Sequence, residues 1–333
     1  MKEEVTIDSG RRAVSDEEPN DEAEWTQERR ATPRVQYVYD FAALDAVPRG
    51  QTSLAITATR LLSGPSLESG KSSTVGAVLT GRHMICTLGH QSAGTGAKAH
   101  THPNEQFNYV LRGMMMSDID GDRVFAPRGW ILHTPGSLVH TGLACPDDDL
   151  VFLAVKDTRH GIVGPPVDGK YDGPNCFPGF GSRAHEPRVS TTYVIEASRG
   201  LPPGPGKRYV YDMNKGADER SASSSATVTP ENALGLPLGI SGKMLSGERL
   251  HIAVLRFLAG ARLSNYRRDN EQFAFVIDGA LEADLDGEEV SVGRHCLLHL
   301  PPATRHTLSA PTGALIVLAQ DKHEPGPDGE ASC

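Results

Sequence analysis

AHTHPNEQFNYVLRG, residues 99–113, is the stretch from which the rest of the chain is read. His100 and His102 stand two residues apart. In an extended strand alternate side chains share a face, so both imidazoles point the same way, about 7 Å apart along the strand. Two imidazoles so placed can grip one ion. Pro103-Asn104-Glu105 interrupts the strand with turn-forming residues, and from Gln106 an alternating apolar run of Phe107, Tyr109 and Leu111 begins. Gln106 is thereby set beside the histidine pair. Downstream, Pro135-Gly136-Ser137-Leu138-Val139-His140 reads as a tight turn that delivers another histidine into a further strand. His100, His102, Gln106 and His140 are the candidate metal ligands.

The same pattern occurs twice. Residues 79–140 align without a gap on residues 245–306 at a constant offset of 166. Gly81 falls on Gly247, Gly94 on Gly260, Asn104-Glu105-Gln106-Phe107 on Asn270-Glu271-Gln272-Phe273, Gly113 on Gly279, and His140 on His306. Tyr37-Val38-Tyr39-Asp40 likewise matches Tyr209-Val210-Tyr211-Asp212, which gives each unit a leading strand. Asp-Gly at 120–121 and again at 286–287, flanked by apolar alternation, predicts a two-residue hairpin in each copy. High glycine (35) and proline (23) contents suit short strands joined by many turns, so the fold class is all-β.

The spaced blocks resemble the two cupin motifs: Gly94 through His100-Thr101-His102 to Gln106 and Gly113, then Gly129, Pro135 and His140. Two positions depart from that pattern. Gln106 stands where glutamate is usual, and Ser137 stands where the second motif has glycine, a small residue for a small one. The resemblance implies two cupin barrels (double-stranded β-helix, jelly-roll) in one chain, and the expected division runs as follows. Residues 1–33 form an acidic tail, 34–160 a metal-binding barrel, 161–207 an irregular Gly/Pro-rich connection with a possible strand at 191–195, 208–320 a degenerate barrel, and 321–333 a frayed tail. In the second copy His100 becomes Tyr266 and His102 becomes Arg268. A guanidinium cannot ligate a cation, so no metal is expected there, and His306 is read as structural.

Three neutral imidazoles and a neutral amide leave a divalent ion its full charge, which favours an anionic, chelating substrate. The ligand types accept iron, manganese, nickel, copper or zinc. A bicupin with its metal in the first barrel resembles the gentisate and salicylate ring-cleaving dioxygenases. That resemblance implies Fe(II), dioxygen as co-substrate and a hydroxylated aromatic acid as substrate. The competing readings are a non-redox metal-dependent isomerase, hydrolase or lyase of a sugar acid or similar small anion, and a ligand-binding cupin without turnover. Asn108, Arg128, His133 and Arg82 are the candidate substrate-binding residues, with Asn108 nearest the metal by strand spacing and His133 able to serve as acid or base. Trp130 is read as core. No serine or cysteine triad is recognisable.

The formal charge of −9 argues against a nucleic-acid surface, although ten acids and five bases in the first 30 residues supply −5 of it. No apolar run is long enough to span a membrane. Five cysteines without framework spacing and a charged amino terminus suggest a reduced, cytoplasmic protein. Exposed barrel edges suggest a homo-oligomer, a dimer or tetramer.

Overall fold

The structure, a computed structural model, describes residues 36–41, 57–61, 74–161, 164–165, 167, 209–214 and 225–322. The acidic segment 1–33, nearly all of the 161–207 connection with its 191–195 strand, and the chain beyond 322 lie outside the described residues. Eleven strands make up the first repeat: β1 (Val38–Asp40), β2 (Thr57–Leu61), β3 (Val75–Thr80), β4 (Met84–Gln91), β5 (Gly96–His100), β6 (Gln106–Arg112), β7 (Met114–Ile119), β8 (Asp122–Pro127), β9 (Trp130–Thr134), β10 (His140–Ala144) and β11 (Leu150–Asp157). Their counterparts are β12 (Val210–Asp212), β13 (Thr227–Thr229), β14 (Ile240–Ser246), β15 (Leu250–Phe257), β16 (Ala261–Arg267), β17 (Gln272–Gly279), β18 (Leu281–Leu285), β19 (Glu288–Val292), β20 (Cys296–Leu300), β21 (Arg305–Ala310) and β22 (Ala314–Asp321). A single 3₁₀ turn, Glu231–Ala233, is the helical element among the described residues, and none of their helices is long and apolar enough to cross a membrane.

Each barrel pairs a seven-stranded sheet with a four-stranded one, and the seven-stranded sheets exchange their edge strands. The first barrel has the orders β12-β9-β6-β11-β4-β3-β2 and β5-β10-β7-β8; the second has β1-β20-β17-β22-β15-β14-β13 and β16-β21-β18-β19. Thus β1 pairs with β20 through Tyr39 opposite Leu297, and β12 pairs with β9 through Tyr211 opposite Ile131. The leading strand of each repeat completes the sheet of the other, so a boundary drawn at 160 or 208 in sequence does not separate the sheets. Both Asp-Gly hairpins form as expected: Asp120 and Gly121 have φ of 51° and 85°, Asp286 and Gly287 of 51° and 91°, the paired positive values of a type I′ turn.

Strand alternation sorts the side chains into three cores. One face of each seven-stranded sheet packs on the other: Phe107, Tyr109, Ile131, Leu153 and Val155 meet Tyr39, Leu297, Phe273, Phe275 and Val254, all buried. The opposite faces line the barrel interiors. In the second barrel that interior is filled by apolar side chains such as Ile240, Ala253, Phe257, Ala274 and Leu300. At the same offset the first barrel has Thr74, Thr87, Gln91, Asn108 and Thr134, and there the interior encloses a cavity of about 60 Å³.

The barrels are also joined by two reciprocal carboxylates. Glu105 accepts the backbone N–H groups of Glu248, Arg249 and Leu250 at 2.7–3.0 Å, and Glu271 accepts those of Arg82, His83 and Met84 at 2.8–3.1 Å. Gly247 and Gly81 are required by close approach, since a Cβ on either would collide with the visiting carboxylate.

Candidate metal centre

β5 ends on His100 and β10 begins on His140, and the two residues face one another across the ladder. His102 lies just past the end of β5 rather than within it, where Ser137 N donates to its carbonyl at 2.8 Å and ties the two motif segments together. The three imidazoles still converge. Ring centroids are 5.5 Å apart for His100 and His102, 4.3 Å for His100 and His140, and 4.7 Å for His102 and His140. One ligand nitrogen from each falls within 4.8 Å of the others, a separation that two metal–nitrogen bonds of about 2 Å nearly span. All three residues are buried.

Two of these rings are oriented by their own backbone. His102 Nδ1 lies 3.1 Å from Asn104 O, and His140 Nδ1 lies 2.9 Å from Leu138 O, so each donates its Nδ1–H and presents the Nε2 lone pair inward. Burial, then the charge of Lys156, pulls the His102 pKa down to about 2; burial is also the main cause of the fall to about 4 at His140. Both rings are therefore neutral, the form in which imidazole binds a metal. Gln106 opens β6 and lines the same cavity, with Nε2 donating to Asn108 Oδ1 at 2.6 Å. That bond leaves the Gln106 carbonyl oxygen as the amide's ligand atom. This donor set of imidazole and amide fits a divalent first-row ion.

Asn108 thus lines the cavity as its strand position suggested, and its contact there is to Gln106. The structure does not bring His133, Arg128 or Arg82 to the cavity. His133 is the register partner of Phe107, on the face of the sheet opposite to Gln106 and Thr134. It stacks on Phe107 at 4.4 Å, with Nε2 2.8 Å from Glu105 Oε1 and Nδ1 2.7 Å from Ser225 Oγ. The order Ser225, His133, Glu105 has the look of a nucleophilic triad. However, the Glu105 carboxylate is already taken up by three backbone donors of the second barrel, and His299 with Glu271 at 3.0 Å repeats the pair. The histidine belongs to the joint between barrels. Arg128 is exposed, and Arg82, also exposed, contributes its backbone N–H to Glu271.

Sequence reading missed Lys156. It lies on β11 directly opposite Gln106, is 4% exposed, and its Nζ donates to His102 Nε2 at 3.0 Å. The available signal was its phase: in Leu150-Val-Phe-Leu-Ala-Val-Lys156, the lysine shares a strand face with Phe152 and Ala154, which point into the barrel. Gln91 and Thr134 were missed for the same reason. Their Oε1 and Oγ1 atoms line the cavity and are buried without a hydrogen-bond partner.

The second barrel keeps the scaffold of the site and not its donors. Tyr266 faces His306 across the ladder where His100 faces His140, and Arg268 stacks over the Tyr266 ring at 5.4 Å. Gln272 donates instead to Gln320, its neighbour on β22, at 2.9 Å. Among the described residues, His100, His102 and His140 form the cluster that can hold an ion.

Residues 87–156 match the family model of the cupin domain. No curated protein matches the sequence. Among solved structures, a deletion mutant of oxalate decarboxylase from Bacillus subtilis superposes with a TM-score of 0.54 at 12% identity, over 86% of this chain and 77% of that one. AerE from Microcystis aeruginosa gives 0.50 at 11% identity, over 81% and 99%. Salicylate 1,2-dioxygenase from Pseudaminobacter salicylatoxidans gives 0.49 at 17% identity, over 86% and 84%. At such identities likeness speaks to fold alone. With a cupin domain matched over residues 87–156 and the same sheet orders repeated in the second half, the fold is two cupin barrels in one chain.

Proposed function

We propose that the first barrel is the active site of a metal-dependent enzyme acting on a small anion that chelates the ion. The observation that carries this reading is the convergence of three buried imidazoles within ligand distance of one another, with Gln106 beside His100 and His140 on one cavity. His100, His102, Gln106 and His140 hold the ion, and none of them removes any of its charge. Bound Fe(II) would pass electron density from a chelated hydroxylated aromatic acid, a substituted salicylate or a gentisate-like acid, to dioxygen, so that the substrate is the species oxidised and both oxygen atoms enter it as the ring opens. For that substrate Met115, Phe152 and Ala154 furnish an apolar wall. No protein nucleophile is needed.

A second reading, non-redox isomerisation, hydrolysis or elimination on a sugar acid or similar anion, is favoured by a different observation. Gln91 Oε1 and Thr134 Oγ1 are buried acceptors in the cavity wall, and substrate hydroxyl groups are the donors that would satisfy them. In this chemistry the ion serves as a Lewis acid. Oxygen-electrode assays of the Fe(II)-loaded protein with gentisate, salicylate and an unsaturated uronate separate the two. Oxygen uptake matched to loss of the aromatic substrate is the expected result; turnover that continues under anaerobiosis would move the protein to the second class.

A further inference from the structure

We propose that Thr134 positions the chelating ligand of the metal site: its hydroxyl hydrogen-bonds the ligand oxygen that coordinates the ion beside Gln106. The inference rests on the reading of His100, His102, Gln106 and His140 as metal ligands, and it adds a residue that touches what they receive.

Thr134 is the register partner of Gln106 across the β6–β9 ladder. Side chains so paired share a face with Cβ atoms about 5 Å apart, which sets the hydroxyl beside the amide that would ligate the ion. Both residues line the cavity. Thr134 is 1% exposed, and no protein donor or acceptor reaches its Oγ1. A buried hydroxyl without a partner destabilises a fold, so the partner that satisfies this one comes from outside the chain.

The second repeat supplies an internal comparison. Among the described residues three buried side-chain atoms lack a partner, Gln91 Oε1, Asn104 Oδ1 and Thr134 Oγ1, and all belong to the first repeat. Gln91 and Thr134 line the cavity, and Asn104 provides the carbonyl that orients His102. At the offset of 166 none of the three recurs as an orphan. Phe257 and Leu300 stand in place of Gln91 and Thr134, and Asn270 Oδ1 accepts from Gln320 Nε2 at 3.4 Å. The unpaired atoms accompany the histidine set and are gone where that set is lost. Of the two that line the cavity, Gln91 is held through Nε2 by Thr74 Oγ1 at 2.8 Å and Gly142 O at 3.3 Å, so replacing it breaks bonds of the fold. Thr134 has no such side-chain bond to lose.

A hydroxyl both donates and accepts. Beside an ion, the ligand atom within its reach is a coordinating oxygen. Thr134 donates to that oxygen when it is ionised, as in a carboxylate or phenolate, and accepts from it when a coordinated alcohol keeps its proton. Both chemistries proposed above present such an oxygen, and the contact fixes how the chelate is turned against Gln106.

The test uses the full chain loaded with cobalt(II), whose visible spectrum reports ligand binding without turnover. The probes are oxalate, whose coordinating oxygens keep lone pairs at either end of the chelate, and imidazole, whose coordinating nitrogen keeps none. Thr134→Val holds the shape of the side chain and removes the hydroxyl. It is expected to take up cobalt(II) as wild type does, to bind oxalate about tenfold more weakly, as loss of one hydrogen bond would, and to bind imidazole unchanged. Thr134→Ser should bind oxalate close to wild type. Without ligand, Thr134→Val should unfold at a higher denaturant concentration than wild type, because an unpaired hydroxyl has gone. Unchanged oxalate affinity in Thr134→Val, equal weakening of both probes, or failure of Thr134→Ser to keep the affinity would overturn the assignment while leaving the metal site intact. So would a lower denaturation midpoint in Thr134→Val, which would show that the hydroxyl already has a partner such as a bound water. Failure of wild type to take up cobalt(II), or of the loaded protein to bind oxalate, would instead overturn the reading of the site, and this inference with it.

Discussion

At Ser137 the backbone takes φ 68°, and the equivalent Ala303 takes 64°. Serine for glycine is therefore not the neutral exchange that size alone suggests, because a Cβ in the left-handed region is strained by roughly 1–2 kcal/mol. Ser137→Gly should stabilise the protein by about 0.5–1 kcal/mol after the added chain entropy of glycine is set against that strain. Denaturant unfolding measures it, and a destabilised variant would show that the Ser137 side chain contributes something the strain does not reveal. Glu105 presents the opposite case. Burial pushes its carboxyl pKa up, but the His133 hydrogen bond and charge and the backbone donors outweigh burial and hold it below the ordinary 4.5. Glu271 is depressed in the same way, again against burial, by His299 and the amides of His83 and Arg82. The unfolded chain then binds the proton more readily than the folded one. The stabilisation is fully present above the ordinary glutamate range and is lost as pH falls below about 4.5 and through the lower folded values. Glu105→Gln sets an amide N–H₂ against backbone donors and should cost about 3 kcal/mol at neutral pH. Its stability should also fall less steeply in acid than that of wild type; parallel acid limbs would show that Glu105 is not responsible.

Among the elements, β1 and β12 have the clearest consequence. Three residues each, they are too short to stand alone, and each finds its partners in the repeat to which it does not belong by sequence. Tyr39 on β1 is fully buried in the core between the seven-stranded sheets. Tyr39→Ala should cost about 3 kcal/mol or more, as large-to-small changes of aromatic core residues do. Its local effect should appear far away in sequence. Hydrogen exchange is expected to accelerate in β20, where β1 pairs, before it does in β9. The reverse order would mean that the leading strand stays with its own repeat.

For the whole molecule, the two barrels share an architecture and differ in what fills it. Interior positions that carry Thr74, Thr87, Gln91, Asn108 and Thr134 in the first barrel carry Ile240, Ala253, Phe257, Ala274 and Leu300 in the second. Metal analysis of the purified protein should thus return one ion per chain, and His102→Ala should lose most of it, since the remaining donors no longer surround the ion. Two ions per chain, or undiminished loading in the variant, would sink this account.

Much of this was legible in residues alone. The all-β class, the duplication and the Asp-Gly hairpins follow from period, spacing and turn chemistry, which act over a few neighbouring residues and are written in local order. His100, His102 and His140 were legible as a group from their spacing in the two motif blocks, although the strand alternation expected to align His102 with His100 does not reach it, since β5 ends at His100. Other features depend on which strand lies beside which, and that is settled when long-range sheet pairing closes the barrels. The exchange of β1 and β12 was invisible because Tyr37-Val38-Tyr39-Asp40 matches its repeat equally well whichever sheet it joins. His133 looked like a site residue until its partner, Phe107, placed it on the outer face. Lys156 was missed because only the pairing of β11 with β6 sets its Nζ beside His102. Sequence determined the units and most of the donors, whereas the tertiary structure decided which face each side chain took and which charges met, because register between distant strands is a property of the closed sheet and not of any one segment.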